Sequence, residues 1–125
     1  MPVNMSALPN NINTLNRSAR PMRRLAAALA KVANTIIYEC PSGKSATIES
    51  ITMCNTHTGS VSLRVFHTSP NETAGATNAL YYDIALRAAS TTVDDSKRYL
   101  NSGDRLTIYA STASVVAVAV HGIEE

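Results

Sequence analysis

From residue 35 onward, apolar and polar residues alternate in short blocks, and each block stops at a cluster of Gly, Pro, Asn, Asp or Ser. Alternation with a period of two puts successive side chains on opposite faces of an extended chain, the pattern of a half-buried strand; a helix would repeat at three and four. In "SVSLRVFH", Val61, Leu63 and Val65 fall on one face and Ser62, Arg64 and Phe66 on the other. "ALYYDIAL" sets Leu80, Tyr82, Ile84 and Leu86 inward, with Tyr81 and Asp83 outward, and "RLTIYAS" alternates through Leu106 and Ile108. "STTVDDS" offers a weaker strand. "TIIYEC" reads as a first strand and "SATIESITMCNT" as a second, in which the apolar phase slips between Ile48 and Ile51. Such a slip predicts a bulge or bend at Glu49-Ser50. "SVVAVAVHGI" is apolar on both faces, the signature of a strand covered on both sides by its own domain or by a neighbouring subunit. Short strands spaced by about ten residues, with no helical pattern between them, specify an all-β antiparallel body, a β-sandwich or jelly-roll-like fold.

The first 34 residues have a different character. "MPVNMSALPNNINTLNRSAR" holds five Asn, two Pro and scattered single hydrophobes, and reads as an extended, adaptable arm. In "PMRRLAAALAKVAN", Pro21 suits a first helical turn, and Met22, Leu25, Leu29 and Val32 recur at spacings of three and four among five alanines. This pattern predicts a short amphipathic helix ending near Asn34, too short to stand without a partner surface. Two regions result: a basic arm over 1–34 and a sandwich over 35–125. At 125 residues the chain is one domain's worth, and with no Trp and a single Phe66 its core must come from Val, Ile, Leu and Ala. The arm carries Arg17, Arg20, Arg23, Arg24 and Lys31 and no acid, a charge of +5, whereas the remainder has six basic and nine acidic residues, a charge of −3. An arm of this kind is built to touch something negative, an acidic protein surface or a nucleic acid. Arg17, Arg20, Arg23 and Arg24, with Leu25 and Leu29 as apolar anchors, are the candidate partner-binding residues. "LAAALAKVA" is too short for a membrane span, which needs about 18 apolar residues; its Arg-rich setting also imitates a transit peptide.

The sequence offers little for catalysis. Gly43-Lys44-Ser45 suggests a phosphate loop, but the required earlier glycine is Tyr38, and a β-branched run follows where a helix is needed. Pro41-Ser42-Gly43 is turn chemistry, with Lys44 on the surface. Cys40 and Cys54 read as two reduced, buried thiols, with a single disulfide as the alternative. Only Cys54-x2-His57 has metal-like spacing, and His67 and His121 supply no second short pair, so no metal or other cofactor is expected. Asp94 and Asp95 point to opposite faces of a strand and form no dyad, and no nucleophile has an evident base, so the expectation is a protein that is not an enzyme. The arm's arginines have no interleaved aromatics for base stacking, which favours a protein surface over nucleic acid as partner. Tyr81 is the one outward aromatic a sugar platform could use. Asn16-Arg17-Ser18 and Asn71-Glu72-Thr73 match the glycosylation triplet, which matters only on a secretory route.

With the strands placed, "IIYECPSGKSATIESITMCNT", "ALYYDIAL", "LNSGDRLTIYAST" and "VVAVAVHGIEE" occur in an order that resembles small β-domain virion proteins of tailed bacteriophages. The resemblance covers roughly residues 36–125 and leaves the arm out; "STTVDDSKRYLNSGD" departs from it in being more charged. It implies a structural role in a virion, as a capsid decoration (cement) protein or a tail, neck or baseplate component, assembled in a bacterial host cytoplasm, and it supplies no catalytic residues. A cement protein would be a homo-oligomer, a trimer being favoured, fastened by its arm to the major capsid protein. The doubly apolar strand over 114–120, with Val116, Val118 and Val120, is the candidate self-contact.

Overall fold

The computed structural model describes residues 22–125. The described chain forms nine strands: β1 (Arg23–Leu29), β2 (Thr35–Glu39), β3 (Ala46–Asn55), β4 (Val61–Thr68), β5 (Ala79–Leu86), β6 (Ser90–Asp94), β7 (Arg98–Leu100), β8 (Arg105–Ala110) and β9 (Val116–Glu124), with a single 3-10 turn at Ala76–Asn78. One sheet runs β1-β9-β3-β6, with β7 also on β3, and the other runs β2-β8-β4-β5. Every pairing is antiparallel. Since β7 takes residues 46–48 of β3 and β6 takes 51–55, those two short strands act as one interrupted strand. The resulting order, with most connections crossing between sheets, is that of a jelly-roll β-sandwich.

The core fills the space between the sheets. Ile48, Ile51 and Met53 of β3 and Val116, Val118 and Val120 of β9 face Leu63 and Val65 of β4 and Leu106 and Ile108 of β8, and none is more than 1% exposed. The three valines therefore have no side-chain surface to give a second copy, and their assignment as a self-contact is corrected. β9 lies between β1 and β3, so its inner face is consumed by its own domain.

A second correction concerns residues 22–34. The stretch read as a helix is strand β1, in which Ala27 lies opposite Ala119 and Leu29 opposite Ala117. Alanine's helix preference amounts to only a few tenths of a kcal/mol per residue over most others, too little against a ready ladder on β9. The strand also delivers Ala26 to the core edge and Ala30 to full burial. The described part of the arm thus belongs to the sandwich.

Local irregularities divide in the same way. The β3 register on β9 shifts between Ile48 and Ser50, where the phase slip places it. At residues 41–44 the Lys44 N–H donates to the Pro41 carbonyl at 3.1 Å and Gly43 adopts φ of 78°, a turn as expected. β5 differs from the reading. Asp83 takes φ of 57° and the β4–β5 register slips beside it, so Tyr81 turns inward and Tyr82 outward, reversing their assigned faces. A local polar side chain tolerates this backbone where a β-branched one would not.

Gly122 sits beside the β3 bulge, opposite Ile48. A Cβ there would collide with the Thr47 carbonyl oxygen and press on the Ile48 Cα at 3.1 Å, both backbone atoms of the central ladder. Gly122→Ala should therefore destabilise the fold by about 3 kcal/mol, the upper range for overpacking, read as a lowered urea midpoint. An unchanged midpoint would mean that the ladder yields at this point.

Candidate functional site

Because alternate residues of β9 are committed to the core, Ala117 and Ala119 turn to the outer face of their sheet. The register extends this into two rows across four strands. Ala27, Ala119, Thr52 and Val93 form one, and Leu29, Ala117, Cys54 and Thr91 the other. None of these side chains is charged, and at the centre they are small, so the face dips into a depression of about 400 Å³ with Arg24 on its rim. Leu29 and Val93, 48% and 57% exposed, stand at its two sides. The surface can take an apolar chain, and its one reactive group is the free Cys54 thiol.

The outer face of the other sheet is occupied by its own side chains. The Arg64 guanidinium lies 4.2 Å from the Tyr82 ring centre and 4.7 Å from that of Tyr109, a cation–π sandwich. Its fork meets Asp83, Nε to Oδ1 at 2.6 Å and Nη2 to Oδ2 at 3.1 Å. That pairing holds the Asp83 carboxyl below the usual range and fastens the β5 bulge. Phe66, outward on β4 yet only 2% exposed, meets Tyr82 edge-on at 6.4 Å. The outward aromatics are Tyr82 and Tyr99, 51% and 69% exposed, and not Tyr81.

Tyr81 instead joins a half-buried ionic cluster. Arg98 Nη2 donates to Asp94 Oδ2 at 2.8 Å, and the Arg98 guanidinium lies 5.9 Å from the Tyr81 ring centre. Burial alone would raise the Asp94 carboxyl, but hydrogen bonds from Tyr81, Arg98 and Ser96 outweigh it and hold Asp94 far below the usual carboxylate range. The departure "STTVDDSKRYLNSGD" thus contains an internal clamp joining β5, β6 and β7. A second clamp joins β1 to β2 and β9, with the Tyr38 hydroxyl donating to Glu124 Oε2 at 2.6 Å and Arg23 Nη2 donating to Oε1 at 2.9 Å. Burial and the neighbouring carboxylate push the Tyr38 phenol up.

The four described candidate binding residues all lie on β1 but do not share one face. Arg17 and Arg20 lie outside the described residues. Arg23 pairs with Glu124, Arg24 is exposed on the depression's rim, Leu25 packs against the core, and Leu29 lies on the outer face. Among the described residues no group of three or more His, Cys, Asp or Glu could hold a metal ion. His67 Nε2 approaches Asp104 Oδ2 at 3.1 Å, an oxygen that also accepts from the Asn101 N–H at 3.0 Å. Cys40 is buried and its Sγ donates to the Lys44 carbonyl at 3.4 Å, while Cys54 faces outward, so the two thiols are separate. Burial pushes the Cys40 thiol up. The small-residue face is signalled in the sequence only by alanines alternating along two strands, one of which also fits a helical stripe.

No protein-family profile matches the chain, and no curated protein matches it. Among solved structures, a chain in the structure of infectious bursal disease virus Gx strain aligns with 81% of this chain at 14% identity and a TM-score of 0.41. This chain spans 32% of that chain's length.

The Asp94 clamp has a pH signature. A carboxyl held below its unfolded value of about 3.9 adds stability that is fully present above that value and is lost as pH falls from about 4 toward the folded value. Asp94→Asn should cost about 2 kcal/mol at pH 7, because it leaves the half-buried Arg98 without its counter-charge. The cost should shrink on acidification, as the wild type loses the same interaction. Urea midpoints at pH 7 and pH 3 test this, and an equal deficit at both would remove the carboxylate from the account.

Proposed function

We propose that this protein is a non-enzymatic structural component of a virus particle, most specifically a tailed-phage capsid decoration protein that oligomerises and attaches to the head through its basic N-terminal segment. The observation that carries the reading is the placement of that segment. It runs directly into β1, the outermost strand of its sheet, on a jelly-roll body whose described polar clusters are internal clamps. Jelly rolls serve in viral capsid domains as well as in lectins and cupins, so the fold alone is an analogy. The ordered resemblance of four segments to phage virion proteins narrows it. Attachment at several points, one arm per subunit, would give tight binding from weak single contacts.

A tail, neck or baseplate position suits the same body. Nucleic-acid contact is the second reading, supported by the N-terminal charge of +5. With Arg23 engaged by Glu124, it would fall to Arg17, Arg20, Arg24 and Lys31.

Light scattering on the full chain should give a mass near 40 kDa, three times the 13.3 kDa protomer. A monomer at micromolar concentration would count against the decoration role. The full-length variant Arg17→Ala, Arg20→Ala, Arg24→Ala leaves the Arg23–Glu124 pair intact and should lose attachment to particles. Undiminished attachment would remove the arm from the interface. Salt-dependent DNA binding that disappears in the same variant would favour the nucleic-acid reading.

A further inference from the structure

We infer that the apolar outer face of the β1-β9-β3-β6 sheet is the docking site of this chain's own N-terminal segment, residues 1–16. The face presents Ala27, Leu29, Ala117, Ala119, Cys54 and Val93 with no charge among them, around the depression of about 400 Å³. Left open, a four-strand face of this kind is a contiguous apolar patch, which soluble chains cover or use.

Position and chemistry select the occupant. The segment joins the described structure at Met22, at the edge of this same sheet, and it is tethered there in every copy. Residues 1–16 contain no charged side chain, matching the two uncharged rows at the centre of a face whose charged lining residue is Arg24 on the rim, and carry Val3, Met5, Ala7, Leu8, Ile12 and Leu15. The basic residues begin only at Arg17, outside that uncharged segment. Reach is ample: sixteen extended residues cover about 50 Å, against roughly 14 Å from β1 to β6 at about 4.8 Å per strand. A tether gives an effective concentration in the millimolar range, which a free second copy at micromolar concentration does not match. Small side chains on the sheet let a backbone approach closely while Leu8 or Ile12 fills the depression. This inference does not depend on the virion reading.

Cys54 is a built-in reporter, since its thiol lies under the proposed cover while Cys40 is fully buried in the core. The full chain is labelled with iodoacetamide and the two cysteine peptides are followed separately by mass spectrometry. Full-length Leu8→Asp, Ile12→Asp should label Cys54 at least about tenfold faster than wild type, the protection a docked segment confers, with Cys40 unchanged. Equal rates in the two proteins, whether fast or slow, overturn the proposal: fast means an open face and slow means another cover. Should the variant also expose Cys40, and so be unfolded, a second measurement decides. Oxidation of dilute Leu8→Cys should join the introduced thiol to Cys54 within one chain; a link only between chains, or none, assigns the face elsewhere. Either failure leaves the oligomer mass and particle attachment untouched as tests of the proposed function.

Discussion

The ladder between β3 and β9 positions the rest of its sheet: β1 is placed by β9, and β6 and β7 are placed by β3. These are the longest strands of the described chain, ten and nine residues. Their inward residues, Ile48, Ile51 and Met53 with Val116, Val118 and Val120, also form one wall of the core. Burial of each such side chain contributes about 1.5–3 kcal/mol, and the same hydrogen bonds that align the ladder hold those side chains in register. The bulge after Ile48 and the bare Cα of Gly122 belong to this constraint, because they let two long, twisted strands stay paired.

What the ladder hides on one side it displays on the other. Period two means that burying three valines turns Ala117 and Ala119 outward, and pairing carries that choice to Ala27, Leu29, Thr52 and Cys54. The apolar outer face is therefore a consequence of how the core is filled. By contrast, the other sheet spends its outward residues on Arg64, Asp83, Tyr82 and Tyr109, which satisfy one another.

The ionic groups follow the same economy. Arg23, Arg64 and Arg98 each close a clamp with a carboxylate and a tyrosine within the described body. Cations that looked from the sequence like a contact surface are in part internal fasteners. Attachment through charge is left to the side chains at the sheet's edge and in the segment before it.

The sequence by itself determined the class of fold, the turn at Gly43, and the slip at Glu49-Ser50, because alternation and turn chemistry are local and each is read within a few residues. It also determined that Val116, Val118 and Val120 are buried. Only the tertiary structure decided what buries them, since a doubly apolar strand looks the same whether its cover is its own domain or another subunit. Residues 23–29 were decided in the same way. Their alanines and leucines fit a helical stripe, and the deciding term, an open edge on β9, comes from residues about ninety positions away. Tyr81 and Tyr82 exchanged faces through one residue, Asp83, whose positive φ has no period to announce it. Local rules fix which side chains must be hidden; only long-range pairing fixes where they go and what surface is left.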